Sequence, residues 1–227
     1  MSTYTDLGIE LMVTGENAGT WGTKTNNNLN LIEQLTGGFA TVSIAGGAGT
    51  TTLDIDDGAL TGTAQQRIIE FTGSITGNRI VTIPNDVETF YILKNSSSGA
   101  YTVQFKYETG SGSSTTFSTT DKGTKIVYAT ANDGTNPDIV DVMANSSEIS
   151  LSNNNPIKFN DADNSAFVGI DAPATVSGSY TLTLPAAVGS TSQALVTTDG
   201  SGTLGFTSTS SFGISTGKAI AMAIVFG

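Results

Sequence analysis

The stretch from Arg67 to Met143 decides the fold, and its clearest segment reads Tyr101-Thr102-Val103-Gln104-Phe105-Lys106-Tyr107. Large apolar side chains alternate strictly with polar ones, which places the two kinds on opposite faces of a β-strand. Such a strand is typical of an antiparallel sheet with one packed face and one solvated face. The segment therefore predicts a half-buried strand at the centre of a β domain.

Weaker apolar runs of the same kind surround this strand, and turn-forming residues separate them. Glycine, asparagine, aspartate and serine supply positive φ angles or side-chain caps in those turns. Several short strands at regular spacing must close two apolar faces against each other, so we predict a mainly β fold, an antiparallel sandwich or jelly-roll-like module. The runs lie at 69–71, 81–83, 90–93, 126–129 and 139–143, and the turns at 73, 77–78, 95–99, 110–114 and 132–134.

Length and composition narrow the class of protein. The 227 residues allow one large β domain or two small ones, and 37% of them are hydrophobic while 13% are charged, so charge-driven disorder is not expected. The formal charge of −11 argues against nucleic acid, which is bound by neutralising phosphates with Lys and Arg. No apolar run reaches the roughly 20 residues of a membrane-spanning helix, so no membrane insertion is expected.

The N-terminus lacks the basic patch and apolar run of a signal peptide. We therefore expect no export by that route, which disfavours a secreted bacterial glycan-binding module.

The residue types needed for common enzyme chemistry are missing. With no histidine and no cysteine, Ser-His-Asp and Cys-His arrangements are excluded. Paired carboxylates remain conceivable for glycan cleavage, yet the candidates stand beside glycines or strand ends, where acidic residues usually form turns. We expect no enzyme activity and no catalytic residue. The carboxylate candidates are Asp54, Asp56, Asp57, Glu70, Asp86 and Glu88.

The sequence also predicts no metal and no cofactor. Asp54-Ile55-Asp56-Asp57-Gly58 resembles the opening of a calcium loop, but its glycine comes one position early and Gln65 replaces the glutamate at the twelfth position. A solvated turn explains this segment better.

Residues 1–40 form the first predicted segment and contain the only helical pattern. Within 26–34, Leu29 and Ile32 are three residues apart, and Leu35 extends the apolar stripe until Gly37-Gly38 ends it. A helix of about ten residues is marginal alone, so it should dock onto a partner or onto copies of itself. Trp21, the single tryptophan, precedes it in a predicted loop, either capping the local core or inserting into a partner.

Two stretches resemble known proteins. Gly15-Glu16-Asn17-Ala18-Gly19-Thr20-Trp21-Gly22 followed by Thr25-Asn26-Asn27-Asn28-Leu29-Asn30-Leu31-Ile32-Glu33 is similar to the N-terminal segment of fibre-like structural proteins of marine tailed bacteriophages. Gly169-Ile170-Asp171-Ala172-Pro173-Ala174-Thr175-Val176 with Tyr180-Thr181-Leu182-Thr183-Leu184-Pro185 resembles a module of phage tail fibres. The resemblance implies a homotrimeric virion protein anchored through Trp21, Leu29, Ile32 and Leu35.

The C-terminal part repeats one strand pattern and ends on another. Residues 77–84 and 178–185 share a glycine turn, an alternating run and a terminating proline. Residues 219–226 are apolar on both faces, and in a soluble protein such a strand must be covered on both, either inside its own sheet or between subunits. We assign an oligomer contact to this strand, formed by Ile220, Met222, Ile224 and Phe226.

These observations predict three regions. Residues 1–40 attach to other virion proteins of the tail, baseplate or capsid, residues 41–144 form the central β-sandwich, and residues 145–227 form a second, β-rich fibre-like portion. The expected role is a short tail fibre or adhesin that contacts host surface polysaccharide through the turns at 95–99 and 110–114. Tyr91, Tyr101 and Tyr107 are candidates for stacking on sugar rings, although core packing explains them equally well. The alternative is a capsid-decorating or baseplate accessory protein with a purely structural role.

Overall fold

The computed structural model describes residues 2–151 and 155–212. The chain divides into two compact units, Met1–Ile149 and Ser150–Gly227. Both contain β-strands, and the described residues include one α-helix, so the mainly β prediction is confirmed. Residues 1–40 belong to the first unit, and the division lies a few residues after the boundary expected at 145.

The described part of the first unit contains the helix and eleven strands. Helix α1 spans Trp21–Gly37, and a 3-10 turn spans Thr63–Gln65. The strands are β1 (Thr3–Tyr4), β2 (Glu10–Leu11), β3 (Phe39–Ser43), β4 (Gly49–Thr52), β5 (Ile68–Thr72), β6 (Arg79–Ile83), β7 (Thr89–Asn95), β8 (Val103–Tyr107), β9 (Thr115–Phe117), β10 (Thr124–Ala129) and β11 (Ile139–Asp141).

From β3 to β8 the chain winds as a coil that alternates between two sheets. β3, β5 and β7 lie parallel in a five-stranded sheet of order β11-β10-β7-β5-β3. β4, β6 and β8 lie parallel in a four-stranded sheet of order β4-β6-β8-β9. The corners stack too, since parallel bridges join Gly46 to Ile75 and Ser74 to Ser98. This part of the unit is a two-sheet β-solenoid.

The predicted antiparallel pairing is wrong for the four strand pairs of this coil. Alternation with period two is common to parallel and antiparallel strands, so the pattern does not reveal where the chain goes after each strand. Residues 42–55 suggest a hairpin around Gly46-Gly47-Ala48-Gly49, but β3 and β4 belong to different sheets and this turn is a corner. Antiparallel pairing is confirmed where the coil ends, between β8 and β9, β7 and β10, and β10 and β11.

The core lies between the two sheets. Val103, Phe105 and Tyr107 point inward and are buried, as the alternation predicts, while Gln104 and Lys106 are half-exposed. Aromatic rings from both sheets meet there, with ring centroids of 6.3 Å for Phe71 and Phe105 and 5.7 Å for Tyr91 and Phe105. Other buried members of the cluster are Ile44, Leu53, Ala64, Ile69, Ile75, Val81, Ile83, Val87, Leu93, Phe117, Val127, Ala129 and Ile139.

One corner of the coil requires glycine. Gly99 has a φ of +102°, and a Cβ added to it would lie 2.2 Å from the carbonyl oxygen of Ile75 in the corner beside it. A side chain would therefore push two stacked corners apart, besides straining the backbone. The turn signal at 95–99 is thus a structural corner of the solenoid.

Helix α1 begins five residues earlier than the predicted 26–34 and ends at Gly37. Trp21 is its first residue, so it does not lie in a loop. The N–H of Gly38 donates to the carbonyl oxygen of Gln34 and closes the last turn, which confirms the predicted glycine stop.

The second unit consists of two hairpins within its described residues. Strands β12 (Ile157–Asn160) and β13 (Phe167–Ile170) pair antiparallel, as do β14 (Gln193–Thr197) and β15 (Leu204–Ser208). A single bridge joins Thr183 to Thr203, and a 3-10 turn spans Thr209–Phe212. The expected second β-rich portion is present, although its strands are short.

Candidate functional site

The stretch of chain before helix α1 is held against the helix through Glu10. The Glu10 side chain is only 1% exposed, and its carboxylate lies 2.9 Å from the ammonium of Lys24. Asn28 brackets the Glu10 backbone, accepting from its N–H at 3.0 Å and donating to its carbonyl at 2.9 Å, and Asn17 donates to the carboxylate at 3.1 Å. The hydrogen bond from Lys24 is the main cause that lowers the pKa of Glu10. This network fixes the direction in which the helix presents its faces.

The outward face of α1 carries three of the four predicted anchor residues. Trp21 is 65% exposed, Leu29 58% and Ile32 45%. Their spacing of eight and three residues puts them on one side of a helix with 3.6 residues per turn. Exposure excludes the core-capping role for Trp21, and an apolar stripe of this kind is typical of a contact with another protein.

The inward face of α1 is mostly polar. Leu31 is buried and Leu35, the fourth predicted anchor residue, is half-buried. The amide groups of Asn27 and Gln34 donate to the carbonyl oxygens of Gly58 and Leu60, at 3.3 and 3.1 Å. The helical pattern predicts that Leu29, Leu31 and Leu35 lie on one stripe. In the structure, Leu31 is buried and Leu29 is exposed to solvent.

The sequence patterns do not predict an exposed apolar run that precedes the helix. Leu11, Met12 and Val13 follow the buried Glu10 and are 51%, 42% and 59% exposed. Three consecutive large apolar residues that remain exposed are a signal in themselves, because a monomer gains nothing by exposing them. They add to the apolar surface of the N-terminal segment.

The tyrosines considered for sugar stacking have different environments. Tyr91 and Tyr107 are buried, and their hydroxyls donate to the carbonyl oxygens of Ala64 at 2.8 Å and Val87 at 2.7 Å. Tyr101 precedes β8 and is 38% exposed. Core packing therefore accounts for Tyr91 and Tyr107, and Tyr101 is left as a surface aromatic.

The two turns considered for ligand contact are both held by the fold. In 95–99, Asn95 and Ser97 are buried. In 110–114, the N–H of Ser111 donates to the side chain of Asn136 at 2.8 Å, and the N–H of Ser113 donates to the carboxylate of Asp138 at 2.6 Å. The hydrogen bond from Ser113 is the main cause that lowers the pKa of Asp138. A Cβ added to Gly110 would lie 2.2 Å from the carbonyl oxygen of Thr135. Neither turn is a free loop that varies without cost to its surroundings.

The carboxylates considered for catalysis or metal binding are mostly engaged in local contacts. Asp54 accepts from the hydroxyl of Thr63 at 2.7 Å, which is the main cause that lowers its pKa. Asp56 accepts from the hydroxyl of Thr61, and Glu70 pairs with Lys94 at 2.8 Å. Asp57 is exposed, and Asp86 and Glu88 line a surface depression. Within the described residues no group of three or more acidic, histidine or cysteine side chains is arranged to hold a metal.

The described residues of the second unit form no buried core. None of the described residues in 155–212 is buried, although the segment is rich in large apolar side chains. The most exposed of them are Val188 at 95%, Leu184 at 74% and Val168 at 72%. A chain segment whose apolar residues stay in water lacks the main driving force of folding. The apolar side chains of these hairpins therefore need cover from beyond the described residues 155–212.

The exposed residues of this unit are arranged in faces. In the β12–β13 hairpin, Ile157 lies opposite Ile170 and Phe159 opposite Val168, so all four point to the same side. In the β14–β15 hairpin, Leu195 lies opposite Phe206. Each hairpin thus presents an apolar face.

The predicted oligomer contact of Ile220, Met222, Ile224 and Phe226 lies outside the described residues. Among the residues that are described, no helix is long and apolar enough to cross a membrane.

Comparison with known proteins gives no relative. No family model matches the chain, and neither does any curated protein or solved structure.

Proposed function

We propose that this chain is a structural subunit of a tailed-phage virion, built as a homotrimer and used as a short tail fibre or fibre-like adhesin. The observation that carries the proposal is the second unit, in which no described residue of 155–212 is buried. Apolar hairpins of this kind gain their burial when copies of the chain associate, as in an obligate assembly whose interface resembles a domain core. The resemblance of 169–185 to a tail-fibre module supplies the biological class.

The N-terminal segment is the proposed attachment surface toward other virion proteins. Trp21, Leu29 and Ile32 are exposed on one helix face, and Leu35 is half-buried beside them. Buried aromatic and large aliphatic side chains carry most of the energy of protein interfaces, so this stripe fits an anchor.

Fewer exposed residues support the host-facing role than the sequence predicts. Tyr101 remains available for stacking against a sugar ring, while the turns at 95–99 and 110–114 are fixed by their neighbours. Three copies engaging a polysaccharide together raise a weak single-site affinity by roughly 10² to 10⁴ when the geometry permits.

The restricted turns favour a second candidate function. A capsid-decorating or baseplate accessory protein needs an anchor and an assembly surface but no ligand-binding loops. If neither the parent nor a Tyr101→Ala variant is retained on host cells above background, the assignment shifts to this role.

Assembly is tested by light scattering on the purified full chain. We expect a trimer, and deletion of residues 219–227 is expected to release monomer or aggregate. A well-behaved monomer of the full chain would overturn the proposal.

Attachment is tested with point variants, because Leu7 packs on the core and a deletion of the N-terminal segment would disturb it. The triple variant Trp21→Ser, Leu29→Ser, Ile32→Ser should fold and assemble normally but fail to enter particles. A matched variant with Thr23→Ser, Asn26→Ser and Glu33→Gln on the same helix should enter normally. Normal incorporation of the first variant would show that attachment lies elsewhere.

A further inference from the structure

One half of the outer face of the five-stranded sheet is apolar. In β5, β7, β10 and β11 the residues Ile69, Tyr91, Val127 and Ile139 belong to the core, so their neighbours in each strand point away from it. Along one half of the sheet these outward residues are large and apolar, whereas the outward row of the other half, Thr41, Glu70, Lys94 and Thr124, is polar. We call the apolar set the outer apolar face; it consists of Phe39, Ile68, Phe90, Ile92, Ile126, Tyr128 and Val140.

Strand register joins these side chains into two continuous rows. Phe39 lies opposite Ile68, Ile68 opposite Ile92, and Ile92 opposite Ile126. In the second row, Tyr128 lies between Phe90 and Val140. Phe39, Phe90 and Tyr128 are 56%, 40% and 43% exposed, so the face is open to solvent in the single chain.

The four-stranded sheet of the same solenoid provides the comparison. Its corresponding outward row is Thr50, Ile80, Gln104 and Thr116, and a second row contains Thr52, Lys106 and Thr82, the last of which is buried and donates its hydroxyl to Thr52. One isoleucine stands among polar side chains there, as expected for a sheet face turned to water. The same coil therefore builds one solvated face and one face suited to burial.

Charge favours a copy of this chain as the partner. The whole chain carries −11, so most surfaces of two copies repel each other. The outer apolar face is an exception: the two charges at its border, Glu70 and Lys94, pair at 2.8 Å and cancel. Arg67 at the other border stacks on Phe90, with its guanidinium 5.8 Å from the ring centroid. Two copies can approach through this face without stacking carboxylates on carboxylates.

We propose that the outer apolar face is a contact between copies of this chain, so that assembly involves the solenoid as well as the second unit. The inference rests on the proposed homotrimer. Copies joined through 155–212 hold their solenoids at high effective concentration, which makes a face of modest size sufficient for association. A closed threefold arrangement can turn the same face of every copy toward the axis.

The first test measures protection in the full-length assembly. The chain has no cysteine, so Ile92→Cys and Ile80→Cys each introduce one thiol, on the centre of the outer apolar face and of the solvated face respectively. Both positions are half-exposed in the single chain. With a small maleimide as the probe, we expect the thiol at 92 to react at least about tenfold more slowly than the thiol at 80.

The second test measures assembly strength with Ile92→Glu and Ile80→Glu in the full chain. Glutamate at 92 places an unpaired charge in the proposed contact and should raise the dissociation constant roughly tenfold or more, while glutamate at 80 should leave it unchanged. If glutamate disturbs the strand, the comparison of Ile92→Cys with Ile80→Cys still tests the contact, because it uses a smaller, uncharged side chain.

The outcomes separate this inference from the proposed function. Equal thiol reactivity in a protein that is a trimer would overturn the solenoid contact and leave the trimer standing. Protection of the thiol at 92 only after incorporation into particles would overturn it in favour of another virion protein. A monomeric full chain would overturn both proposals.

Discussion

At the scale of single residues, the same residue type serves different purposes according to its position in the coil. Tyr107 stands at an inward position of β8, where its hydroxyl donates to the carbonyl oxygen of Val87 and accepts the N–H of Ala131 at 2.8 Å. Tyr101, six positions earlier in the same alternating run, precedes the strand and faces solvent. Only the tyrosine inside the strand ties the corner after β6 to the loop after β10.

Tyr107→Phe should destabilise the first unit by about 1–3 kcal/mol, because it leaves two backbone groups without their partner. Urea unfolding followed by circular dichroism measures the change. Tyr101→Phe is the control and should stay within about 0.5 kcal/mol of the parent. Equal midpoints for all three proteins would contradict the role given to the Tyr107 hydroxyl.

Stability should also fall at alkaline pH. Burial raises the pKa of Tyr107 to about 12 and raises that of Tyr91 as well. Because tyrosines of the unfolded chain ionise near pH 10, the unfolded state holds fewer protons than the folded state above that pH, and unfolding becomes easier as pH rises. Urea midpoints should be constant up to about pH 10 and then decline. The decline should be shallower in Tyr107→Phe; an identical slope would contradict this origin.

At the scale of elements, neighbours decide whether a pattern becomes a strand. Residues 77–84 and 178–185 share the same sequence pattern, yet only the first forms a strand, β6, which is paired on both sides by β4 and β8. The second makes one bridge, between Thr183 and Thr203. Backbone N–H and C=O groups need partners, and the described residues of the second unit provide few for 178–185.

Helix α1 depends on its neighbours in the same way. It has no side-chain hydrogen bond at its N-cap and no acidic residue in its first turn, so its own sequence does little to start it. Its interactions with Glu10, Gly58 and Leu60 supply what the caps lack.

Lys24→Met should loosen the N-terminal segment without unfolding the solenoid, since it leaves the buried Glu10 carboxylate without its cation. Limited proteolysis should cut within 11–20 faster than in the parent, while the β signal in circular dichroism stays unchanged. The control variant Glu33→Gln, on the exposed side of α1, should be cleaved at the parental rate. Cleavage that is no faster in Lys24→Met would show that the ion pair does not hold this segment.

Acid should have the same effect in the parent protein. The hydrogen bond from Lys24 holds the pKa of Glu10 below its usual value. The contribution of this carboxylate is therefore present at neutral pH and is lost as pH falls through that lowered pKa. Cleavage within 11–20 by an acid protease should rise at the acid end of the range, and Glu10→Gln should show fast cleavage at every pH.

At the scale of the whole molecule, the two units differ in how they reach stability. The first has a core of eighteen buried hydrophobic residues between two sheets. The second has apolar faces and, among its described residues, no buried side chain. The first unit therefore has the buried apolar surface that stabilises a fold, and we expect the second, under the proposed homotrimer, to obtain most of its burial from association.

The two units should therefore behave differently when separated. A fragment of residues 1–149 should show a cooperative unfolding transition at a midpoint independent of dilution in the micromolar range. A fragment of residues 150–227 should lack ordered strand signal when dilute and gain it as concentration rises. Ordered strand signal in the second fragment at the lowest measurable concentration would contradict a fold that depends on association.

The sequence by itself determined the mainly β fold class and which side chains of its strands face the core. Alternation around 101–107 predicted which side chains of β8 enter the core, and the glycine pair at 37–38 predicted where the helix ends, because both are local properties of the backbone. Composition determined the excess of negative charge and the absence of histidine and cysteine chemistry.

Only the tertiary structure decided the path of the chain and the surfaces left uncovered. Parallel and antiparallel strands share one alternation, so whether the turn at 46–49 returns in a hairpin or crosses to the other sheet depends on contacts far along the chain, such as those of Gly46 with Ile75. The outward direction of Trp21 and the two rows of the outer apolar face follow from helix docking and strand register. These are properties of packing between distant residues, which a local pattern does not contain.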